Sequence, residues 1–447
     1  MKIEKFQEKV MASGLMAGFE DMEIYYEQAR GLSCDIYQGE VDRYETSQTG
    51  GLSFRGIYDG KTGYAFTEKI EEDSIDYLLE KAKANAELAE EEEPEEIFAG
   101  SDEYEEIDHY SEAMDTISTT EKMAFLKAVE EKVLHYNSQV HSLNTCRMIE
   151  QSKERLLANS KGLVLHDRKN FFAIMLSVVV KSGDETKSGF TIKMTKDFNT
   201  LNVDEIAREA AEEALSYLGE KAIANKKYPI IFRKDAAVQL LGTFLSSFSA
   251  EVAQKGQSRL KDQVGEEIAS KQLSIIDDPF YEGGPANRNF DGEGVASKTC
   301  TVIEKGILKT LLHNRKTAKK AGVETTGHAY KPSYKGTVVI APSNFIVMAG
   351  EKTIDDLVAE QQEAVLITKL SGLHSGANAI SGDFSVAANG FYVKDGKITA
   401  PVKQMTIAGN FFDLLKGIEE VGADLYISPG GTGAPSLLVK ELSVTVD

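Results

Sequence analysis

Hydrophobic residues follow two different periods along the chain, and each period predicts a different kind of element. Near the start, Phe6, Val10 and Leu15 recur at the spacing of one helix face, whereas 52–58 is a short β-rich run. Helices are predicted at about residues 4–18, 73–90, 119–136, 203–218, 235–254, 354–361 and 411–420. Strands are predicted at 22–26 and 52–58, through a β-rich block at 138–195, and at 228–232 and 436–446.

Turn and cap signals mark where several of these elements end. Asp59-Gly60 suits a two-residue hairpin turn, because both positions of such a turn need a positive φ. Gly50-Gly51 is predicted to separate two strand runs. Ser118 opens a capping sequence for the helix that follows it. The acidic run at 90–96 is predicted to be a solvated linker.

The elements form mixed blocks rather than a strict alternation of strands and helices. The chain reads helix, strands, helix and again helix, strands, helix up to about residue 222, and strands dominate afterwards. We therefore predict an α+β fold with mixed or antiparallel sheets and flanking helices. Its predicted parts are an α/β-layered N-terminal domain at 1–222, divisible into sub-blocks at 1–100 and 101–222, and a β-rich C-terminal domain at 223–447.

Composition and charge argue against several classes of function. The chain has 447 residues, 42% of them hydrophobic, and a formal net charge of −21. Proteins that bind nucleic acid or anionic membranes need basic patches, and the basic run at 315–320 is one short helix face. The apolar run at 173–180 is too short to cross a bilayer, and residues 1–8 lack the apolar segment of a signal peptide. We expect a cytoplasmic protein whose partners are peptides or proteins, not nucleic acid or membrane.

The sequence contains no complete catalytic motif. None of its seven histidines lies one helical turn from another, as in a zinc helix, and its three cysteines are far apart. His374-Ser375 and the nearby Asp383 have the residue types of a nucleophilic triad, but they lack the G-x-S-x-G turn, and a glycine-rich turn is the alternative. The loop at 428–435 is rich in glycine but has no Lys-Ser or Lys-Thr ending for phosphate.

Five segments of the second half follow one another in a fixed order. Together they are a more specific signal than any one of them alone. They are Gln263-Val264-Gly265-Glu266, Asp291-Gly292-Glu293-Gly294-Val295, Thr326-Gly327-His328-Ala329, Ile380-Ser381-Gly382-Asp383 and Thr406-Ile407-Ala408-Gly409-Asn410. This order resembles the TldD/PmbA family, in particular its PmbA (TldE) branch. The resemblance covers nearly the whole chain and implies membership of a metallopeptidase family.

The resemblance also locates the positions at which the catalytic branch of the family binds zinc. That branch carries a His-Glu-x-x-x-His helix, and counting back from Gln263 places its two histidines and glutamate near Leu241, Gly242 and Ser246. The catalytic branch supplies a cysteine ligand from the loop that is 427–432 here, which has no cysteine. Without these ligands and the glutamate there is neither a metal-activated water nor a general base. We expect no cofactor in this chain and zinc in a paralogous partner; whether the chain alone is an enzyme stays open.

The resemblance implies a non-catalytic PmbA/TldE-type subunit of a cytoplasmic zinc metallopeptidase that acts on unfolded or small peptides, in proteolysis or peptide maturation. The expected partner is a TldD-type chain with the His-Glu-x-x-x-His motif, or otherwise a second copy of this chain. The candidate residues facing the peptide or the partner are Gly372, His374, Ser381, Gly382, Asp383 and Asn410, with turn and packing roles as the alternative. Two other functions stay open: an autonomous peptidase or amidase with a non-metal nucleophile, and a regulatory interaction factor of the gyrase-modulator type.

Overall fold

A computed structural model gives the structure of residues 1–90 and 96–446. Its several sheets with packed helices confirm the predicted α+β class. The acidic run predicted to be a linker lies for the most part outside the described residues, because it includes 91–95. The predicted domain boundary at 222/223 falls between a helix and a strand, and the division into domains stays a prediction.

The first half of the chain repeats one arrangement, a helix followed by three strands and a second helix. The elements are α1 (Ile3–Met16), β1 (Asp21–Tyr37), β2 (Glu40–Tyr58), β3 (Lys61–Thr67), α2 (Asp73–Leu88), α3 (Ala113–Thr116), α4 (Thr119–Tyr136), β4 (Val140–Asn159), β5 (Val164–Ser182), β6 (Glu185–Thr195) and α5 (Val203–Leu215). Ser118 caps α4 as predicted, in a capping box with Glu121.

The two sets of strands join into one antiparallel sheet. The order is β3-β2-β1-β4-β5-β6, so that β1 pairs with β2 on one side and with β4 on the other. Successive side chains of a strand point to opposite faces, so Ile24 and Cys34 of β1 face the same side. Ile24 packs in a core with α1 and α2, and Cys34 packs in a second core with α4 and α5. Tyr25 points to the other face, which meets the second half of the chain at Phe290.

The sequence predicted a hairpin turn at one glycine pair and a break between strands at another, and the structure contains only the turn. Asp59 and Gly60 have φ of 49° and 68° and form the predicted hairpin turn between β2 and β3. Gly50-Gly51 does not separate two strands, because β2 runs through it. The glycine serves packing instead: a Cβ built on Gly51 would lie 2.4 Å from the ring of Tyr334. The second half of the chain thus lies directly on the backbone of β2.

The second half of the chain consists of short strands with short helices between them. The elements are β7 (Lys226–Phe232), α6 (Lys234–Thr243), α7 (Ala250–Gln254), β8 (Ile275–Asp277), β9 (Cys300–Glu304), β10 (Ile307–Leu308), α8 (Arg315–Ala321), β11 (Ala329–Tyr330), β12 (Val339–Ile340), β13 (Phe345–Val347), α9 (Ile354–Ala359), β14 (Glu363–Ser371), α10 (Leu373–Gly376), β15 (Asp383–Lys394), β16 (Lys397–Pro401), β17 (Met405–Asn410), α11 (Phe411–Lys416), β18 (Ile418–Val421), β19 (Tyr426–Ile427), β20 (Thr432–Ala434) and β21 (Leu437–Val446).

Five of these strands form a closed sheet. Their pairings run β14-β7-β21-β17-β15 and return from β15 to β14, and β14–β7 is the parallel pair. A second sheet has the order β10-β9-β8-β13-β20-β19. The largest hydrophobic core fills the space between the closed sheet, α6 and the second sheet, and it includes Phe232, Phe244 and Phe345.

Two predicted helices are interrupted or replaced by another element in the structure. The helix predicted at 235–254 is broken into α6, a 3-10 turn at Leu245–Phe248 and α7. The break follows from packing, because the ring of Phe244 stacks on Phe411 at 4.4 Å between centroids and serines follow it that favour helices weakly. The helix predicted at 411–420 ends at Lys416, because the chain continues as β18 and pairs with β21.

We expect Gly63→Ala to lower the free energy of unfolding by about 1–3 kcal/mol. Gly63 lies in β3 under α2, and a Cβ built there would approach the carbonyl oxygen of Ala82 to 2.0 Å. Urea denaturation followed by circular dichroism measures the change. Gly336→Ala is the matched control, since its nearest neighbours are 3.7 Å from the added Cβ. Equal stability of the two variants would show that α2 does not lie this close to β3.

Candidate functional site

The positions predicted to correspond to a zinc helix lie where α6 ends. Leu241 is buried in the hydrophobic core, whereas Gly242 and Ser246 are exposed. Ser246 belongs to the 3-10 turn that follows α6, so the three positions do not share one continuous helix. Ser247, the next residue, fixes the turn by donating a hydrogen bond from its hydroxyl to the carbonyl oxygen of Ala379 at 3.0 Å.

The structure brings this helix end together with the loop that lacks the cysteine. A Cβ built on Gly242 would lie 3.7 Å from Oγ1 of Thr432, which begins β20. The loop is held by a hydrogen bond from the backbone N–H of Ser428 to the carbonyl oxygen of Thr432 at 2.8 Å. The two places that the family resemblance singled out are therefore neighbours in space.

The donor atoms at this place do not fit a zinc ion. Zinc sites in proteins use imidazole, thiolate and carboxylate groups, but Leu241 offers an alkyl chain, Gly242 no side chain, and Ser246 and Thr432 only neutral hydroxyls. Across residues 1–90 and 96–446, no group of three or more His, Cys, Asp or Glu side chains is arranged to hold a metal. No metal-dependent step can be derived for these residues.

Four of the six candidate site residues form one hydrogen-bonded cluster. Asp383 and Asn410 are directly opposite each other in the β15–β17 pair. Nδ2 of Asn410 donates to Oδ1 of Asp383 and to the carbonyl oxygen of Ser381, at 2.9 Å each. Gly382 has a φ of 83°, and a Cβ there would lie 2.5 Å from the ring of Phe412, so only glycine fits.

The same cluster begins a helix and carries charge at the surface. Oδ1 of Asn410 accepts the backbone N–H of Phe412 at 3.0 Å and thereby caps α11. The guanidinium of Arg259 approaches Oδ1 of Asn410 at 3.4 Å and the carbonyl oxygen of Ser381 at 3.3 Å. The hydrogen bond from Asn410, together with Ser381 and the charge of Arg259, lowers the pKa of Asp383 below its usual value. The exposed Asp383 therefore presents an ionised carboxylate to solvent at neutral pH.

Gly372 and His374 lie apart from the hydrogen bonds of this cluster. Gly372, with φ 78°, precedes the short helix α10, which packs against α6 and β15. The side chain of His374 is exposed, and Ser375 donates its hydroxyl hydrogen bond to the carbonyl oxygen of Gly372 at 3.2 Å. The hydroxyl of Ser375 is thus directed to the backbone rather than to the imidazole of His374. The two side chains therefore do not form the hydrogen bond between a nucleophile and its base.

The sequence prediction did not include a buried polar network within the second half of the chain. At its centre, Oδ2 of Asp277 lies 2.9 Å from Nε2 of His328 and accepts a hydrogen bond from the hydroxyl of Ser343 at 2.5 Å. Burial acts to raise the pKa of Asp277, but the hydrogen bond and charge of His328 outweigh it and lower the pKa. The sequence signal was the Thr-Gly-His-Ala segment, which helped to identify the family but was not assigned to a site.

A second set of buried charged groups lies where the two halves of the chain meet. Nζ of Lys331 donates to Oγ of Ser53 on β2 at 2.7 Å, and burial lowers the lysine pKa to about 8. The carboxylate of Asp291 accepts the backbone N–H groups of Glu293 and Ala329, at 2.8 and 3.0 Å. Burial and the charge of Asp291 raise the pKa of Glu293 to about 7. Asp291 thus holds the loops of the second half together, and Lys331 links them to the sheet of the first half.

Comparison with known families and structures identifies the chain's relatives. The family descriptions that match are PmbA/TldA metallopeptidase domain 1 at residues 22–86, the central domain at 112–218 and the C-terminal domain at 225–446. The chain belongs to the PmbA/TldD family. This confirms the family recognised from the ordered segments of the second half.

Individual relatives of this PmbA/TldD-family chain cover nearly its full length. A Thermotoga maritima protein, named for a suggested role as a modulator of a DNA gyrase, superimposes with a TM-score of 0.92 at 33% identity over 99% of this chain and 100% of that one. TldE from Thermococcus kodakarensis shares the fold, with a TM-score of 0.88 at 23% identity over 98% and 100%. Metalloprotease PmbA of Escherichia coli O157:H7 is 24% identical over 93% of this chain and 89% of its own.

The described helices also bear on the expectation about membranes. Within 1–90 and 96–446, none of them combines the length and the apolar character that crossing a membrane requires.

We expect Asp277→Asn to lower the free energy of unfolding at about pH 7 by about 3–5 kcal/mol, because it leaves His328 buried without its carboxylate. The pKa of Asp277 is lower in the folded chain, so the ionised group stabilises the fold above its unfolded-state pKa, and this stabilisation is lost as pH falls through the folded value. The gap between wild type and variant should therefore narrow as pH falls below about 4.

Urea titrations across this pH range measure the gap. Asp278→Asn is the matched control, since Asp278 is half-buried and its Oδ1 accepts from the N–H of Phe280, which an amide oxygen can also do. A gap that does not narrow as pH falls below about 4 would contradict an ionised Asp277.

Proposed function

We propose that this chain is the non-catalytic, PmbA/TldE-type subunit of a cytoplasmic zinc metallopeptidase that acts on unfolded or small peptides. In this proposal it pairs with a TldD-type chain that carries the His-Glu-x-x-x-His motif and the zinc ion. The observation that carries the proposal is the donor set at Leu241, Gly242, Ser246 and Thr432. Metal-assisted hydrolysis requires metal ligands and a general base, and these four residues supply neither.

A subunit without its own metal can still contribute surfaces that hold a peptide or a partner. Among residues 1–90 and 96–446, the outer half of β2, from Glu40 to Gly51, pairs with β1 on one side only, because β3 pairs with β2 from Leu52 onward. An extended peptide or a partner strand can add to such an edge through backbone hydrogen bonds. The charged pair Arg43–Glu45 on this edge limits non-specific pairing between strands, which favours a specific partner.

The candidate residues offer a second surface, and two of its side chains are exposed to solvent. His374 and the ionised Asp383 are exposed, and Arg259 adds a positive charge next to Asp383. Polar and charged side chains on a rigid base suit recognition, and the base here is the hydrogen-bonded cluster of Asn410. We propose that Gly372, His374, Ser381, Gly382, Asp383 and Asn410 lie on the side that faces the peptide or the partner. Gly382 and Asn410 also have turn and packing roles, which do not depend on whether they face a peptide or a partner.

Hydrolysis of β-casein, an unfolded protein, tests the proposal. With zinc present, we expect no cleavage by this chain alone and cleavage by its mixture with the TldD-type paralogue. Replacing the two motif histidines of the paralogue by alanine should abolish the activity of the mixture. Size-exclusion chromatography of the mixture should show a heterodimer, and the isolated chain is expected to be a homodimer.

The same assay separates the rival functions. Chelator-resistant cleavage by this chain alone, lost in Ser375→Ala or His374→Ala, would replace the proposal with an autonomous hydrolase. An inactive mixture in which the two chains elute separately would also overturn it. A regulatory factor of the gyrase-modulator type would instead co-purify with gyrase.

A further inference from the structure

The outer half of β2 forms an edge of the first sheet. Within 1–90 and 96–446, this part of β2 has a strand partner only on the side of β1. Each residue from 40 to 49 is exposed, so both faces of the segment are open to solvent. An edge of this kind presents backbone N–H and C=O groups to a further strand, and pairing with its own copy about a two-fold axis satisfies two edges at once.

The edge is held in place before any partner binds. At the hairpin end, the carboxylate of Glu130 on α4 accepts the backbone N–H groups of Gln38 and Gly39, at 2.9 and 2.7 Å. Glu130 itself is buried. A strand fixed in this way loses little conformational freedom when a second strand pairs with it.

On the face that carries the helices, a row of apolar side chains crosses the sheet and ends at this edge. Ile174, Met148 and Cys34 lie opposite one another in successive strand pairs and are buried in the core with α4 and α5. Tyr44 is paired with Cys34 as the last member of the row, and it is 49% exposed. A second apolar side chain beyond the edge would continue the row, and aromatic pairs across strands are stabilising.

On the opposite face, the neighbouring row of side chains alternates in charge. The guanidinium of Arg147 donates two hydrogen bonds to the carboxylate of Asp35, at 2.5 and 2.7 Å, and Asp35 is directly opposite Arg43 on β2. Arg43 ends this row and forms an ion pair with Glu45 of its own strand, and both side chains are more than half exposed. The row reads positive, negative, positive, so the complementary group beyond the edge is a carboxylate.

One register of two copies satisfies both rows. In an antiparallel pair about a two-fold axis, residues at equal distances on either side of the axis lie opposite each other on the same face. With Tyr44 on the axis, Arg43 lies opposite Glu45 of the second copy, and Glu45 opposite Arg43 of that copy. An axis at Arg43 or at Glu45 places like charges opposite each other, and an axis at Thr46 places both opposite neutral side chains. The register with β1 shifts at Asp42, so the regular part of this pairing is 43–45 of each copy.

We propose that two copies of this chain associate edge to edge through β2, antiparallel and with Tyr44 on the two-fold axis. The two tyrosines join the apolar rows on the helix-bearing face, and Arg43 and Glu45 of both copies form a ring of four alternating charges on the other face. The sheet then has twelve strands, six from each copy. This inference deepens the proposed function, since it rests on the expectation that the isolated chain is a homodimer.

Sedimentation-velocity ultracentrifugation of the isolated full-length chain, at about 1–100 µM, measures the Kd of the dimer. We expect Arg43→Glu and Glu45→Arg each to raise Kd about tenfold, because each variant places two pairs of like charges across the axis. An equimolar mixture of the two variants should restore the dimer, since every pair across the axis is then of opposite charge. Restoration in the mixture cannot come from the ion pair within one strand, which stays broken in both variants.

The matched control makes the same changes on α5, which packs against β6 at the other end of the sheet. Arg208 and Glu212 form an exposed ion pair there, and Arg208→Glu or Glu212→Arg should leave Kd within about twofold. A wild type that stays monomeric up to about 100 µM would overturn the proposal. A dimer that the two β2 variants do not weaken, or that their mixture does not restore, would overturn it as well.

Oxidative cross-linking tests the register, and the native cysteines are buried. Directly opposite residues have Cα atoms about 4.5–5.5 Å apart, within the range of a disulfide, so Tyr44→Cys should form a covalent dimer. Thr46→Cys should not, because its Cα would lie about 14 Å from its copy. Cross-linking of Thr46→Cys instead of Tyr44→Cys would overturn the proposed pairing.

The cleavage assay with the TldD-type paralogue distinguishes this inference from the proposed function. Cleavage by the mixture together with a dimer insensitive to the β2 variants would overturn only the pairing through β2. An inactive mixture together with a dimer that the variants weaken, and that their combination restores, would overturn only the proposed function.

Discussion

The contact between the two halves of the chain determines how everything else is arranged. Tyr25 and Leu157 on the helix-free face of the first sheet pack against Phe290 and Tyr334 of the second half. Around this small apolar cluster lie Arg155, whose guanidinium donates to the carbonyl oxygen of Phe290 at 2.7 Å, and Lys331, which donates to Ser53. Charges enclosed in this way are costly unless each is paired or hydrogen-bonded, so they fix a single relative position of the surfaces they join.

This contact also explains the shape of the loops in the second half. Asp291 accepts backbone N–H groups from its own loop and from Ala329, and Gly294 with φ 83° lets the loop pass close to Leu163 of the first half. The joint thus accounts for the acidic segment that begins at Asp291.

At the positions predicted to correspond to the zinc helix, hydrophobic packing shapes the chain. Phe244 stacks on Phe411 and Phe248 packs against Phe345 at 5.1 Å, so the segment around Ser246 is shaped by the core of the second half. An uninterrupted helix is needed to present ligands from adjacent turns, and a chain without ligands is free to break it. The proposed role as a partner subunit agrees with this, because the segment still lies next to the loop of Thr432 while neither supplies a ligand.

The sequence by itself determined what depends on neighbouring residues: the helical spacing of α1, the cap at Ser118, the turn at Asp59-Gly60, the α+β class and the family. It also located the cluster of Ser381, Gly382, Asp383 and Asn410, through segments about 25 residues apart that strand pairing brings together. Only the tertiary structure decided the rest. Gly51 is covered by Tyr334, Asp277 meets His328 and Ser343, and Phe244 breaks a helix that its sequence would have continued. Each of these depends on residues distant in the chain, and burial energies between such residues outweigh local propensities of a few tenths of a kcal/mol.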